Sequence, residues 1–205
     1  MRKTIIIDDR LDRRKLHLSK SSLSELEVLE KKRLLTNSIG IDSYDDLDKV
    51  FGNYDLIAVH RTYLAKTGML NTINSYINRT KKFLIVFSGG ISVNEVINGG
   101  HRLNIDASDF YTAKLPKFIN DFGNEKSSLR APLLQFLHGD SWRLSLLLQY
   151  RYILWKHGDE DFYDDEIDRR IADNLQEILW DGNEDISIEE VNLEIEKEKE
   201  RRINS

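Results

Sequence analysis

The sequence predicts an α/β protein with an open parallel sheet flanked by helices, followed by an all-α extension. Three apolar runs with polar ends predict the sheet, at residues 4–8, 55–60 and 83–88. Parallel strands have this pattern because helices cover both of their faces, so that reactive groups gather at the carboxyl ends of the strands. We therefore expect a polar crevice at one edge of the sheet.

The amino-terminal segment predicts one strand and one helix. The β-branched run 4–7 favours a strand that ends at Asp8. Ser22 and Glu25 have the spacing of a capping box, in which each side chain bonds the backbone N–H of the other residue. We therefore expect a helix that begins at Ser22 and runs to about Leu35.

The next segment predicts a short helix, whereas a second strand is difficult to recognise. Ser43 and Asp46 repeat the capping spacing, and Gly52 with Asn53 ends the helix that follows them. Between residues 34 and 41 no run of strand length stands out.

The second and third clear strands are separated by a helical segment. Tyr54 to His60 is one strand and Phe83 to Ser88 is the other, with a loop through Gly68 and then an amphipathic helix between them. Strand, helix and strand at this spacing form a right-handed crossover in nearly all proteins.

Beyond Gly89, the pattern predicts a brief helix capped by Ser92, a weaker strand at 102–105 and a helix from Asp109. This completes an α/β domain at residues 1–125. Residues 126–205 lack a convincing strand, and helical apolar spacing recurs in four segments: 133–137, 142–155, 167–180 and 186–203. The second domain is therefore predicted to be helical, and Ser187 with Glu190 is expected to cap its last helix.

The composition excludes several classes of protein. At 205 residues, with 40% hydrophobic and 32% charged side chains, the chain suits one domain with an appendage. We find no apolar stretch near the roughly 20 residues of a membrane helix and no signal-peptide core, so we expect a cytoplasmic protein without membrane contact. The absence of cysteine excludes disulfides, thiolate catalysis and cysteine metal sites.

The charges are unevenly distributed along the chain. The net charge is −5, yet residues 160–205 hold 17 acidic and 6 basic side chains and the preceding residues hold 18 acidic and 24 basic ones. This division is compatible with two solvated surfaces, with an acidic tail that shields a basic surface, or with a nucleic-acid partner. Nucleic-acid binding would use the basic segments 10–20 and 81–82, and it is supported by charge alone.

Polar side chains follow the predicted strands in a recognisable order. Asp8 and Asp9 follow the first strand, His60 ends the next clear one, Ser88 ends the one after it, and Lys114 lies beyond the weak last strand. A pair of carboxylates in this position is suited to bind a divalent cation through oxygen ligands, which makes Mg²⁺ a candidate cofactor at Asp8 and Asp9.

This order resembles the response-regulator receiver domain over about residues 3–122. The resemblance implies a flavodoxin-like parallel sheet of five strands, an acidic pair that holds Mg²⁺, a phosphorylated central Asp, and a Ser/Thr and a Lys that contact the phosphoryl group. Asp8, Asp9 and Ser88 match the pattern, whereas His60 occupies the phosphoacceptor position and Lys114 lies several residues late. Because an imidazole cannot replace the acceptor carboxylate, we do not expect standard phosphotransfer.

The resemblance therefore indicates a degenerate receiver, a regulatory module that docks protein partners without aspartyl phosphorylation and without catalytic turnover. Three alternatives remain open. The first is a ligand- or metal-binding sensor, or an enzyme, that uses the strand-end crevice. The second is an α/β domain of the same layout but unrelated to receivers. The third is the nucleic-acid binding described above.

Two further features bear on a ligand pocket. The turn Ser88-Gly89-Gly90 is followed by Ser92 and can present backbone N–H groups to an anion, so that with Arg61 and Lys114 it would form a phosphate or nucleotide site. Turn chemistry alone also explains the glycines. His60 either bonds a nearby carbonyl or pairs with one of the two aspartates, and such a pairing would make the crevice sensitive to pH.

The predicted helix at 142–155 is too apolar and aromatic for an exposed helix. Trp142, Tyr150 and Trp155 are its candidate interface residues. The segment must be buried against the α/β domain, a second copy of the chain or another protein, so a homodimer or a protein partner is expected as an alternative to internal burial.

Overall fold

The computed structural model describes residues 1–10, 12–38, 47–67, 70–124, 131–157, 166–180 and 186–203. The chain divides into two compact units, Met1–Phe136 and Leu137–Ser205. The predicted domain boundary between residues 125 and 126 lies outside the described ranges, as do the predicted cap at Ser43 and Asp46 and the loop position Gly68.

The first unit is built around a six-stranded sheet with the strand order β2-β1-β3-β4-β6-β5. Every neighbouring pair is parallel except β5 with β6, which is antiparallel. The predicted α/β class with a mainly parallel sheet is therefore confirmed. The strands are β1 Thr4–Ile7, β2 Leu35–Ser38, β3 Leu56–His60, β4 Phe83–Phe87, β5 Glu95–Ile97 and β6 Arg102–Ile105.

Helices occupy most of the rest of the described chain. In the first unit they are α1 Arg13–His17, α2 Lys20–Lys31, α3 Leu47–Phe51, α4 Arg61–Thr67, α5 Leu70–Thr80, α6 Ala107–Phe110 and α7 Lys114–Asn124. Helix α8, Pro132–His138, spans the boundary between the units and leads to a short 3-10 turn at Gly139–Ser141. The second unit contains α9 Trp142–His157, α10 Glu166–Trp180 and α11 Ile188–Ile203.

The sheet forms because its central strands are apolar on both faces. Alternate side chains of β1, β3 and β4 pack with α3, α4 and α5 in one core cluster: Ile5, Ile7, Ile57, Val59, Leu84 and Val86, with Phe51, Leu64, Ile73, Tyr76 and Ile77. The intervening side chains Ile6, Ala58, Ile85 and Phe87 are equally buried on the opposite face. Continuous apolar runs satisfy both faces at once, as the sequence pattern predicted.

The parallel register brings the carboxyl ends of three strands to one edge. Ile7 lies opposite Val59, and His60 lies opposite Phe87. The residues that follow β1 and β4 and the last residue of β3 are therefore neighbours at this edge of the sheet, which is where the polar crevice was expected.

The N-cap of α2 differs from the prediction. Ser19, not Ser22, is the capping residue, and its Oγ accepts a hydrogen bond from the backbone N–H of Ser22 at 3.1 Å. The predicted cap is wrong because Ser22 is buried within the first turn of the helix. The helix also ends at Lys31, so that Leu35 is free to begin β2 instead of continuing the helix.

Other elements of the first unit also differ from the prediction, among them β2, α4 and β5. Strand β2 contains one apolar residue, and it is an edge strand held by its backbone ladder with β1. Helix α4 begins directly after His60, where a loop was predicted, because Leu64 turns into the core. Residues after Ser92 form β5 instead of a brief helix, with Val96 buried opposite Leu103.

The helical extension agrees with the prediction. Helices α9, α10 and α11 cover the predicted segments and bury apolar stripes, which in α11 consist of Val191 and Ile195. The capping box at the start of α11 is present: Ser187 Oγ accepts from Glu190 N at 3.3 Å, and Glu190 Oε2 accepts from Ser187 N at 2.8 Å. Hydrogen bonding to Ser187 lowers the pKa of Glu190.

Candidate functional site at the strand ends

Five side chains meet at the carboxyl edge of the sheet and are called the strand-end cluster below: Asp8, Asp9, Arg13, His60 and Tyr111. Asp8 and Asp9 follow β1, His60 ends β3, Arg13 begins α1 and Tyr111 follows α6. Asp8 and His60 are buried, with 3% and 5% of their surface exposed. Buried charged groups need paired charges or hydrogen bonds, so the partners of each carboxylate determine what this cluster can do.

The Asp8 carboxylate is bonded through both of its oxygens. Its Oδ1 accepts from Arg13 Nη1 and, at 3.0 Å, from the backbone N–H of Arg10. Its Oδ2 accepts from the Tyr111 hydroxyl at 2.8 Å. Asp8 is therefore fixed by one charged and two neutral donors.

The Asp9 carboxylate lies between Arg13 and His60. Both Nη1 and Nη2 of Arg13 donate to Asp9 Oδ1 at 3.2 Å, and His60 Nδ1 lies 3.2 Å from the same oxygen. Partial burial acts to raise the pKa of Asp9, but the neighbouring His60 and the hydrogen bonds and charge of Arg13 hold it below its usual value. Of the two pairings considered for His60, the geometry brings it to Asp9.

Phe87 and Phe110 pack beside the cluster and are called the aromatic wall below. The ring of Phe87 meets His60 edge-on, with centroids 5.4 Å apart, and Tyr111 also edge-on at 5.5 Å. Phe110 stacks on Phe87 with centroids 4.4 Å apart. Burial, reinforced by the charge of Asp8, raises the pKa of Tyr111 above its usual value. Tyr111 therefore stays neutral and remains a hydrogen-bond donor to Asp8.

The donor set of the cluster suits a divalent cation. One ligand atom each from Asp8, Asp9 and His60 can be chosen so that all three lie within 4.8 Å of one another. Carboxylate oxygens with an imidazole nitrogen are ligands for Mn²⁺, Fe²⁺ or Zn²⁺, whereas Mg²⁺ prefers oxygen alone. The Arg13 guanidinium, however, already contacts both carboxylates and supplies the positive charge that a cation would supply.

The other residues expected in the crevice are arranged differently. Ser88 follows β4, its backbone N–H donates to Ile105 O at 3.2 Å, and its Oγ accepts from Gly90 N at 3.4 Å. Gly89 faces open space, so its turn does not need glycine for steric room. Lys114 is exposed at the start of α7, and within the described ranges it makes no hydrogen bond or ion pair. Arg61 lines a separate cavity.

Sequence reasoning missed two members of the cluster, Arg13 and Tyr111. Arg13 lies only four residues after Asp9, close enough for a local ion pair, but in the sequence it is one of several residues in a basic segment. Tyr111 lies 103 residues from Asp8 along the chain. Only the tertiary fold brings that pair together.

Several basic side chains that suggested nucleic-acid binding are engaged within the protein. Arg13 binds the two aspartates, Arg14 pairs with Glu30 at 3.1 Å, and exposed Arg10 pairs with Asp12 at 2.8 Å. Lys82 Nζ donates to three backbone carbonyl oxygens, those of residues 51, 52 and 54. The charges of these arginines are thus partly neutralised by carboxylates, and the Lys82 ammonium group is engaged with backbone carbonyl oxygens.

The three candidate interface residues of α9 differ in exposure. Tyr150 is 2% exposed and packs on Trp180, with ring centroids 5.4 Å apart, so it belongs to the interior of the second unit. Trp142 is half-buried. Trp155 is 70% exposed and its neighbour Tyr152 is 59% exposed. An accessible aromatic surface therefore exists at Tyr152 and Trp155.

No protein-family model, curated protein or solved structure matches this chain. Among the helices described, none combines the length and the apolar character needed to cross a bilayer. The strand order, the strand-end cluster and the exposed surfaces are therefore the features that bear on function.

Proposed function

We propose that the chain is a degenerate receiver-like regulatory module that acts by binding a protein partner and does not carry out aspartyl phosphotransfer. The strand order supports the layout. Without the antiparallel edge strand β5, the order β2-β1-β3-β4-β6 corresponds to the order 2-1-3-4-5 of flavodoxin-like sheets, in which function is located at the carboxyl ends of the strands.

The observation that carries the proposal is the position of Arg13. Its guanidinium contacts both Asp8 and Asp9. In the resemblance to receivers these two carboxylates correspond to the Mg²⁺-binding pair, and His60 corresponds to the phosphorylated Asp. A guanidinium carries a single positive charge and binds through N–H donors, so it supplies neither the divalent charge nor the metal–oxygen coordination by which Mg²⁺ assists phosphoryl transfer. Arg13 thus takes the place of the metal and His60 the place of the nucleophilic Asp, and neither can perform the chemistry of the group that it replaces.

A module of this kind that does not carry out phosphotransfer can still act by recognising another protein. Exposed aromatic residues are favoured at protein interfaces, and Tyr152 and Trp155 are the accessible aromatic pair of α9. Leu148, 38% exposed, lies on the same helix. We place the module in the cytoplasm, and a second copy of the chain is one candidate for the partner.

The test combines partner binding with phosphorylation. The immobilised chain is used to capture partners with and without acetyl phosphate and Mg²⁺, and intact-protein mass spectrometry follows phosphorylation of the same samples. We expect equal partner binding in both conditions, loss of binding for Trp155→Ser, and no phosphoryl adduct. The control is Ile203→Ser, which removes another exposed apolar side chain of the same unit, 84% exposed. A hydroxylamine-sensitive adduct on Asp8 or Asp9, or partner binding unaffected by Trp155→Ser, would contradict the proposal.

A second candidate function, a metal sensor, is favoured by the proximity of Asp8, Asp9 and His60. In this case a cation would displace Arg13 from the carboxylates. Mn²⁺ and Zn²⁺ would then raise the melting temperature, because a ligand that binds only the folded chain stabilises it by mass action. The gain would be lost in Asp9→Asn and His60→Gln and enlarged in Arg13→Gln. Asp12→Asn, an exposed carboxylate change nearby, is the control.

Our proposal of a module without a metal predicts no saturable shift in this experiment. Thermal shift is measured on protein stripped with EDTA, over metal concentrations from micromolar to millimolar. Stabilisation of the wild type that Asp9→Asn abolishes, and that Asp12→Asn leaves intact, would decide for the metal sensor.

A further inference from the structure

The connection from β4 to β6 runs without a described helix. Parallel neighbouring strands are usually joined by a helix that covers one face of the sheet. Here residues 88–101 instead contain β5, which pairs antiparallel with β6 at the edge of the sheet. Beside this connection lies a cavity of about 480 Å³, lined by residues of α4, α5, β4, β5 and β6 and by the turn after Ser88.

Polar groups from β5 and β6 are gathered on one face toward this cavity. Arg102 and Asn104 are two residues apart on β6 and alternate with the buried residues Leu103 and Ile105, so they share a face of the sheet. Glu95 on β5 lies directly opposite Asn104. All three polar residues line the cavity.

Arg102 is held in place by neutral partners. Its Nε donates to Asn104 Oδ1 at 3.0 Å, and its Nη1 donates to Asn74 Oδ1 at 3.2 Å. Asn104 is itself fixed, since its Nδ2 donates to Glu95 Oε1 at 2.9 Å. A guanidinium has five N–H donors, so these bonds orient Arg102 and leave further donors for another acceptor.

A second guanidinium faces the same cavity. Arg61, the first residue of α4, is exposed, and within the described ranges it has no hydrogen bond or ion pair. Burial lowers the pKa of Arg102, Glu95 opposes this shift and the positive charge of Arg61 adds to it. Among the described residues that line the cavity, two carry guanidinium groups and one carries a carboxylate, so positive charge exceeds negative charge around the half-buried Arg102.

The rest of the lining consists of apolar side chains and of a turn with small residues. Leu64, Leu70, Val86, Ile91 and Val93 form the apolar part, and Gly90 and Ser92 contribute the turn. Pockets of about 300–1,000 Å³ that combine an apolar lining with a few convergent polar groups are typical of small-molecule sites. Asp8, Asp9 and His60 do not line this cavity, which separates it from the strand-end cluster.

We propose that this cavity binds a small organic anion, in which a carboxylate or phosphate group is held by Arg61 and Arg102 and an apolar body lies against the leucine and valine lining. Guanidinium groups bind both kinds of anion in bidentate geometry. The site does not depend on the chemistry of the strand-end cluster. The proposed regulatory module therefore has, besides its partner-binding surface, a place at which a small molecule is recognised.

Binding is measured by isothermal titration calorimetry and by amide chemical shifts, with phenyl phosphate and benzoate as probes and benzyl alcohol as the neutral analogue. We expect at least one anionic probe to saturate in the millimolar range or below and to shift amides of residues 88–104, while benzyl alcohol binds at least tenfold more weakly. Comparison of the two anions distinguishes a phosphate site from a carboxylate site.

Arginine variants locate the anion. Arg61→Gln and Arg102→Gln are each expected to weaken binding by about tenfold, the size of one charge-assisted hydrogen bond. Arg79→Gln removes an exposed arginine of α5 that lies outside the cavity lining, and it is expected to bind like the wild type. Since Arg102 also has structural bonds, Arg61→Gln is decisive. Absence of saturation with both anions, or wild-type affinity in Arg61→Gln, overturns the proposal.

Discussion

Replacement of Arg13 by Gln is expected to lower the free energy of unfolding by about 3 kcal/mol, because removal of one partner leaves a buried charge without compensation. Asp8 is 3% exposed, and among the described residues the donors it keeps once Arg13 is lost are the Tyr111 hydroxyl and the Arg10 backbone N–H. Urea unfolding followed by circular dichroism measures the loss.

The matched control is Arg10→Gln. Arg10 also pairs with an aspartate, but both side chains are more than half exposed, at 56% and 59%, and we expect a cost below about 1 kcal/mol. The double variant Arg13→Gln/Asp8→Asn should recover part of the stability, since the buried charge is then removed together with its partner. A cost for Arg13→Gln no larger than that for Arg10→Gln would mean that Arg13 does not stabilise the cluster.

The second large effect is expected at Phe87. Replacement by Ala should lower the free energy of unfolding by about 3–5 kcal/mol, the cost of removing a buried aromatic side chain and leaving a cavity. Phe87 is 0% exposed, and its ring contacts Phe110, Tyr111 and His60. None of the hydrogen bonds of the strand-end cluster involves this side chain, so the loss would come from packing.

Phe87→Leu separates volume from aromatic contact, because leucine refills much of the space and should cost less than half as much as alanine. Val93→Ala, at a side chain 68% exposed, is the surface control, with an expected change within about 0.5 kcal/mol. Ring proton shifts of His60 should move in Phe87→Ala, since the edge-on ring is lost. Unchanged stability and unchanged His60 shifts together would show that the aromatic wall does not support the cluster.

The metal and phosphorylation experiments address a different property from these two stability measurements. Arg13 links them, because the same guanidinium that stabilises Asp8 also covers the acid pair. If Arg13→Gln is strongly destabilised and still does not bind Mn²⁺, the cluster is structural. If the Arg13→Gln variant binds Mn²⁺ and regains stability, the Arg13 guanidinium of the wild type occupies the position that a cation can take.

The amino-acid sequence by itself determined the class of the first unit and the helices of the second. Strands β1, β3 and β4 follow from their continuous apolar runs, since a run that is apolar on both faces is stable only between two helical layers. Helices α9, α10 and α11 follow from apolar positions at helical spacing and, for α11, from the cap at Ser187. Local patterns were sufficient here because each segment buries its own apolar face.

Tertiary structure decided the elements whose own pattern is weak. Strand β2 has the sequence Leu-Thr-Asn-Ser and owes its conformation to the backbone ladder with β1, while β5 depends on pairing with β6. Helix α4 forms where Leu64 can enter the core. A strand at the edge of a sheet is stabilised more by pairing with the neighbouring strand than by its own composition. The local sequence does not show which strand will be its neighbour, so such strands are difficult to predict.

The candidate site divides in the same way. Asp8, Asp9 and His60 could be placed together from the sequence, because residues at the ends of parallel strands meet at one edge. Only the fold brings Tyr111 next to Asp8, which lies 103 residues away along the chain, and only the fold shows that Arg13 is the partner of both carboxylates. The fold also places Arg61 and Arg102 around one cavity. Charge compensation in a buried site depends on distances of a few ångströms, and only the packed chain sets those distances.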